Sequence, residues 1–398
     1  MPVVAKYIFL CEKKRYNFST FAVLLTCILN MLLNSLSALN YRNLSAVEIS
    51  FSDKINCFIG CNGMGKTNLL DAIYYLSFCK SALSPTDASN IMHGAPFFMI
   101  TGYYTSDSGI HDEISCGLKR GEKKQFKKNK KNYERLSEHI GTVPLVVISP
   151  ADGELIAGGS EERRRFIDVV VSQYDKEYLG SLIRYNRALQ QRNALLRADA
   201  EPDAEILSLI EDMMVVEAGN IYASRSCFID ELTPIFEDFY RYIAGSAENV
   251  TLHYRSDIAD KDFGEQLRLS RVDDRRLGYT TKGIHRDELV MRLGGYPIRK
   301  EGSQGQNKTY LVSLKLAQFD FLRRKGGETP LLLLDDIFDK LDSQRVEKII
   351  GLVAGDKFGQ IFITDVNREH IDNILDKIEG EYKLFTVIDG NVNMQKER

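Results

Sequence analysis

The sequence predicts an α/β chain of two lobes, in which a mixed-sheet lobe built from both ends of the chain is interrupted by a helical insertion. Three observations carry that prediction. A Gly-rich loop followed by Lys-Thr lies between a strand pattern and a helix pattern near residue 60. A run of four leucines runs into two aspartates near residue 335. Between them, residues 161–245 lose all strand character and become long, charged and helix-patterned.

Composition fits such a chain. Of 398 residues, 44% are hydrophobic and 10% aromatic, which is ample for a sizeable core and for about two to three domain-sized units. Gly at 29 and Pro at 9 are too few for a collagen-like or low-complexity chain. The net charge of −3 means that any nucleic-acid contact must come from locally concentrated charge. Seven cysteines (Cys11, Cys27, Cys57, Cys61, Cys79, Cys116 and Cys227) form no CxxC pair, and no His stands at ligand spacing from them. That pattern suits a reducing compartment and argues against a disulfide scaffold or a zinc site.

Taken in order, residues 36–39 and 47–51 read as strands, 55–59 as a third, and about 67–79 as a helix. Residues 109–148 are strand-like with a basic middle. Helices follow over 161–197 and 204–242, broken at 199–202, and short strands return near 250–254 and 288–293. A helix spans 307–324, and 331–334 is a buried-strand signature. A helix at about 343–354 precedes a strand at 360–363. The expected division is an N-terminal extension (1–30), the first part of the sheet lobe (31–155), a helical lobe (156–280) and the rest of the sheet lobe (281–398).

Gly60-Cys61-Asn62-Gly63-Met64-Gly65-Lys66-Thr67 fits G-x-x-x-x-G-K-[ST] at every fixed position, with a strand before it and a helix after. Glycines let backbone N–H groups wrap a phosphate, and the helix N-terminus adds its positive end. Lys66 then supplies charge to the β- and γ-phosphates, and Thr67 offers a hydroxyl to Mg²⁺. Leu331–Leu334 delivers Asp335 and Asp336 to the C-terminal end of a central strand, where open α/β sheets place ligands. Asp335 suits the Mg²⁺ shell, and Asp336 is placed to orient or deprotonate an attacking water. No NKxD guanine motif occurs, because Asn307-Lys308-Thr309-Tyr310 ends wrongly, so ATP is the expected nucleotide.

Further segments narrow the class. Ser303-Gln304-Gly305-Gln306 opens an amphipathic helix. Ser303 and the amides beside it suit a γ-phosphate presented by another subunit, and the same residues also read as an ordinary helix cap. Phe338-Asp-Lys-Leu341-Asp342 follows the aspartates closely, and residues 361–365 form a later strand ending in Thr364-Asp365.

With these motifs in this order, the chain resembles ATPases of the ABC/SMC type, and within them the RecF family of bacterial recombination mediators. The resemblance runs from about residue 31 to the C-terminus. It rests on Asn40-Tyr41-Arg42-Asn43, Gly60–Asn68, Ser149-Pro150-Ala151-Asp152, the run EERRRFID over residues 161–168, Gly283-Ile284-His285-Arg286-Asp287, residues 303–306 and residues 333–342. It implies a two-lobed P-loop ATPase head with an inserted helical lobe. The implied activity is an ATP-driven homodimer switch with slow, DNA-stimulated hydrolysis that recognises gapped DNA. It helps RecR and RecO load RecA on single-stranded DNA in the cytoplasm.

By the family pattern Arg42 and Asn68 lie near the nucleotide, and Ser303–Gln306 is the signature acting in trans. Asp342 belongs to the D-loop, Asp152 to the Q-loop region as a further Mg²⁺ candidate, and Thr364 to the switch strand. Cys61 and Met64 stand where acidic, polar or small residues are more usual, and Ile284 where Pro is usual. A thiol in the loop would make nucleotide binding sensitive to oxidation.

Residues 119–135 hold nine Lys/Arg against two Glu, a net +7 that leaves −10 for the remainder of the chain. A hairpin carrying Lys127, Lys128, Lys130 and Lys131, with Phe126 and Tyr133 interleaved, suits contact with a DNA backbone. The alternative is a solvated hairpin. Arg163-Arg164-Arg165 are consecutive on a helix and splay over about 200°, so at least one is expected to be structural. His285-Arg286-Asp287 matches the kinase HRD only in letters and is read as structural.

No charge occurs from Tyr16 to Tyr41, and the apolar run 18–33 is short for a membrane span and close to a signal-peptide core. Cleavage near Ser37-Ala38 would remove part of the first strand, and export would separate an ATPase from its ATP. An early-assigned start or a dispensable extension is therefore expected, with no membrane partner. A structural ATPase of the SMC/Rad50 kind would need far longer heptad-patterned helices than residues 161–245 supply. An ABC-type ATPase subunit of another complex is the remaining alternative.

Overall fold

The computed structural model describes residues 29–245, 248–338, 341–355, 357–376 and 380–398. The chain forms two compact units. The first gathers the described residues up to Glu154 with Asp238–Glu248 and Gly302–Arg398; the second holds Leu155–Glu237 and Asn249–Glu301.

At the centre of the first unit is α1 (Lys66–Phe78), buried nearly all round between two sheets. A helix of this kind needs no polar face, and its polar Asp71 and Ser77 are themselves buried. One sheet has five parallel strands in the order β15 (Tyr382–Ile388), β3 (Ile55–Ile59), β14 (Ile361–Asp365), β13 (Leu331–Asp335) and β8 (Leu145–Ile148), with β16 (Asn391–Glu397) antiparallel on the β15 edge. Strands covered on both faces read as continuous apolar runs, as Leu331–Leu334 does. The other sheet is largely antiparallel: β1 (Leu29–Tyr41) lies between β2 (Leu44–Ser50) and β4 (Phe97–Ser106), followed outward by β5 (His111–Lys119), β6 (Gln125–Lys128) and β7 (Lys131–Asn132). β12 (Glu328–Thr329) pairs with the start of β1.

β1 is three times longer than the 36–39 strand expected from sequence. Its buried positions shift from odd (Met31, Leu33) to even (Leu36, Ala38), because a bulge at Leu33/Ser35 interrupts the register. The bulge hides the period-2 signal. Gln360 steadies it, accepting from Leu33 N and donating to the Leu33 and Ser52 carbonyls. The end of the apolar run 18–33 is thus strand; the rest of that run, up to residue 28, lies outside the described residues.

The second unit follows the short α2 (Glu154–Ala157) and packs α3 (Ser160–Tyr174), α4 (Lys176–Arg197), most of α5 (Ala204–Ala244) and α6 (Phe263–Leu277) with a small sheet. That sheet has β10 (Glu288–Leu293) between β9 (Val250–Arg255) and β11 (Tyr296–Pro297), and α7 (Ile298–Glu301) follows. The single helix expected over 161–197 is two helices. Asp175 ends the first and caps the second, accepting from Tyr178 N at 2.9 Å. α6 was not expected, since Ser270 and Asp274 occupy part of its buried face and blur the apolar period.

Back in the first unit, α8 (Gln304–Gly326) is buried from Thr309 to Leu322. It is followed by α9 (Ser343–Val353) and α10 (Arg368–Asp376). α10, β4, β15 and β16 also go beyond the sequence expectation. No described helix is long and apolar enough to cross a membrane.

Candidate functional site

Every site residue read from the sequence belongs to the first unit. Gly60–Gly65 link β3 to α1, and Gly65 is the helix N-cap at φ 110, a left-handed conformation that an L side chain adopts only with strain. The Lys66 ammonium donates to the carbonyls of Gly60 at 2.7 Å and Cys61 at 3.3 Å. Cys61, Asn62 and Gly63 are exposed and Met64 is half-buried, so the loop presents itself to solvent above a buried helix start.

The strand order explains the rest of the geometry. β14 lies between β3, which carries the loop, and β13, which carries the aspartates. Thr364 on β14 therefore sits beside Asp335. Its hydroxyl donates to Asp335 Oδ1 at 2.6 Å and accepts from Asp336 N at 3.1 Å. Thr67 donates to the same Asp335 oxygen at 3.1 Å. Asp336 takes a left-handed φ of 46, a conformation that costs a non-glycine residue about 1 kcal/mol or more and is held here by the bonds from its N–H to Thr364. The structure thus brings Lys66, Thr67, Asp335, Asp336 and Thr364 to one end of one sheet.

Other expected residues have more structural partners than the sequence revealed. Arg42 donates to buried Asp71 at 3.1 Å and to Ser81 at 3.0 Å; Asp71 also accepts from Tyr41, Ser81 and Ala82 N. Asn68 donates to Asn43 at 2.8 Å. Asp152 accepts from Ser149 in a capping box and pairs with Lys315 of α8 at 3.1 Å, and none of its hydrogen bonds among the described residues reaches Thr67 or Asp335. Asp342 caps α9 through Arg345 N at 2.9 Å and holds the Arg345 guanidinium at 3.2 Å, close beside Gly305.

Ser303 caps α8: it accepts from Gln306 N at 3.2 Å while Gln306 accepts from Ser303 N at 2.9 Å, and Gln306 donates to Glu248. The helix-cap reading is therefore realised. It leaves the Ser303 hydroxyl proton available to an acceptor. Gln304 and Gly305 follow as the first helical residues, and none of the hydrogen bonds among the described residues joins Ser303–Gln306 to the loop at 60–65.

The basic segment forms the β6–β7 hairpin, turning at Asn129 and Lys130, both left-handed. Lys130 and Lys131 are exposed and Lys127 is half-buried. Lys128 is engaged otherwise, in an ion pair with Asp112 at 2.8 Å. Burial raises the Asp112 pKa, but hydrogen bonds from Lys128 and Asn129 outweigh it and hold the carboxyl below its usual value. Lys124 is tied to Asp87 and to the Cys79 carbonyl at the end of α1. Phe126 is buried against Tyr133 and His139, and its ring is unavailable for stacking.

In the second unit, the segments 161–168 and 283–287 meet. Arg163 pairs with Glu288 at 2.6 Å, Arg164 donates to the Asp287 carbonyl at 2.8 Å, and Arg165 is exposed. Fully buried Arg225 joins Asp168 at 2.8 Å to Asp287 at 3.6 Å. His285 bonds Tyr185 and the Thr280 carbonyl, and burial lowers its pKa to about 4, so it is neutral near pH 7. Burial raises the Asp287 pKa to about 6 despite its polar partners.

Sequence reading missed Arg225 and Lys315. Lys315 left a signal, being with Asp320 one of two charged residues between Thr309 and Leu322. Among the described residues no group of three or more His, Cys, Asp or Glu is arranged to hold a metal ion.

Residues 32–387 match the model of the RecF/RecN/SMC N terminal domain. Over 368 residues the chain is 60% identical to the DNA replication and repair protein RecF of Phocaeicola vulgatus, covering 92% of this chain and 99% of that protein. It is 53% identical to the protein of the same name from Parabacteroides distasonis, covering 92% and 100%. A solved structure of the recombination mediator protein RecF with ATP, from the RecFOR pathway, superposes with a TM-score of 0.83 at 28% identity, covering 92% of this chain and all of that one. The Smc head domain of Pyrococcus furiosus, at a TM-score of 0.57 and 15% identity, shares the fold. With the ATPase-head fold, the phosphate loop and the acidic strand in place, this chain belongs to the RecF family.

Proposed function

We propose that the protein is an ATP-dependent, DNA-binding switch of recombinational repair and replication. The observation that carries this is the Thr67–Asp335–Thr364 cluster beside Lys66, built by a strand inserted between the phosphate-loop strand and the acidic strand. Relatives named for DNA replication and repair, and a structural relative holding ATP, support it.

Lys66 moves from the Gly60 and Cys61 carbonyls to the phosphates, and the amides at the start of α1 receive them. Thr67 and Asp335 offer one hydroxyl and one carboxylate, hard oxygen donors that fit Mg²⁺ and leave the remaining shell to the nucleotide and water. When bound, the ion neutralises phosphate charge. Asp336, fixed through its N–H by Thr364, orients the attacking water. Ser303 donates its hydroxyl proton to the γ-phosphate held by a second copy, which makes dimerisation nucleotide-dependent. Hydrolysis is slow and times release. The DNA is gapped, with Lys127, Lys130 and Lys131 on its backbone, and RecR, RecO and RecA are the pathway partners in the cytoplasm.

The test is the mass in solution with Mg-ATP, with and without a gapped duplex, for wild type and Lys66→Met. A dimer that forms with ATP, gains stability from DNA and is lost in the variant is the expected result. A wild type that stays monomeric under all conditions overturns the switch.

A further inference from the structure

We infer that the turn of the C-terminal β15–β16 hairpin, together with Asn43, is a clamp that positions the phosphate loop from outside; the inference rests on the reading of that loop as the ATP site. A loop that wraps a phosphate must point its N–H groups inward and its carbonyls outward, and a carbonyl turned outward needs a partner. The carbonyls of Gly60 and Cys61 accept from Lys66 of the loop itself. Met64 finds its partner in another part of the chain: its carbonyl accepts from Gly390 N at 2.8 Å, and its sulfur lies 3.4 Å from Asp389 N. This assigns a use to Met64, which departs from the small or polar residue usual there. A thioether reaches a backbone N–H that a shorter side chain does not.

The turn is built for this approach. Asp389 and Gly390 are both left-handed, at φ 47 and 78, as a two-residue hairpin turn requires. A Cβ on Gly390 would stand 2.1 Å from the Asn43 carbonyl oxygen. Asn43 in turn places its side chain against Gly65, where an added Cβ would meet it at 2.8 Å, and accepts from Asn68 at 2.8 Å. On the other side of the loop, a Cβ on Gly60 would stand 2.3 Å from the Val387 carbonyl of β15. Hairpin, Asn43 and loop therefore meet closely at three glycines, backbone against backbone at Gly390 and Gly60 and against the Asn43 side chain at Gly65. Gly390, Asn43 and Met64 act on phosphate through the loop, so they are positioning residues.

The experiment titrates fluorescent ATP, with Mg²⁺, into wild type, Gly390→Ala, Asn43→Ala and Gly94→Ala, with thermal unfolding of each. Gly94 shares the left-handed backbone of Gly390 (φ 81) but has nothing within 4 Å of its Cβ position, so it reports the backbone penalty alone. Gly390→Ala and Asn43→Ala are expected to bind ATP and ADP about tenfold more weakly, the worth of one lost positioning bond. Gly94→Ala is expected to bind as wild type while still losing melting temperature through its strained backbone alone. Wild-type affinity in Gly390→Ala and Asn43→Ala overturns the clamp, as does an equal loss in Gly94→Ala. If Gly390→Ala does not fold, Asn43→Ala decides between the two results. A wild type that binds no ATP overturns the reading of the loop itself, and the clamp with it.

Discussion

Thr364 differs from valine by one hydroxyl, and that hydroxyl both donates to Asp335 and accepts from the Asp336 backbone. The two carboxylates are assigned different tasks, one toward the cation and one toward water, so the group that holds them apart governs the second without owning the first. Thr364→Val keeps the shape of the strand and removes only this link. Turnover of ATP is expected to fall about tenfold, while ATP affinity changes by less than about threefold, because Thr67 and Lys66 still hold the nucleotide. Steady-state kinetics with an independent binding titration separates the two quantities. A KM that rises as far as kcat falls would place Thr364 in nucleotide binding instead.

The elements differ in how far the sequence exposes them, and the β6–β7 hairpin shows why. Its charge is plain from residues 119–135, but the division of labour within it depends on register. Lys128 lies opposite Ile114 on the strand pairing and reaches Asp112, whereas Lys130 and Lys131 stand at the turn. Lys127→Ala, Lys130→Ala and Lys131→Ala should each lower the log–log salt slope of DNA binding by about 0.9, the value of one backbone contact. Lys128→Ala should leave the slope unchanged and lower the melting temperature; an equal slope change for all four would overturn that assignment. The phosphate loop and the acidic strand were legible because their chemistry needs particular residues at fixed spacing. Arg225, which binds segments 161–168 and 283–287 through Asp168 and Asp287, was not legible, because a buried arginine looks like any surface arginine until its partners are folded around it. β1 was half legible, since the bulge at Leu33/Ser35 moves its buried face from one parity to the other.

For the whole molecule, the proposed switch makes turnover depend on a second copy, because the cap and the phosphate loop of one chain do not join among the described residues. Ser303–Gln306 form a cap whose side-chain bonds run to one another and to Glu248, and none of the hydrogen bonds among the described residues connects them to the phosphate loop. In a two-fold dimer each composite site would take its loop from one copy and its cap from the other. Two crippled copies can then repair each other. Lys66→Met keeps the cap and loses the loop; Ser303→Arg keeps the loop and blocks the cap with a bulky cation, sparing ATP binding but abolishing the dimer. Each alone should hydrolyse almost no ATP. Because neither variant dimerises by itself, the dimers of an equal mixture are mixed ones, each holding one intact composite site, so up to about half of wild-type turnover is expected. Ser303→Arg that dimerises with ATP on its own would remove Ser303–Gln306 from the interface. Failure of the mixture to regain activity, with each variant folded and Ser303→Arg still binding ATP, would mean that loop and cap do not meet across the dimer.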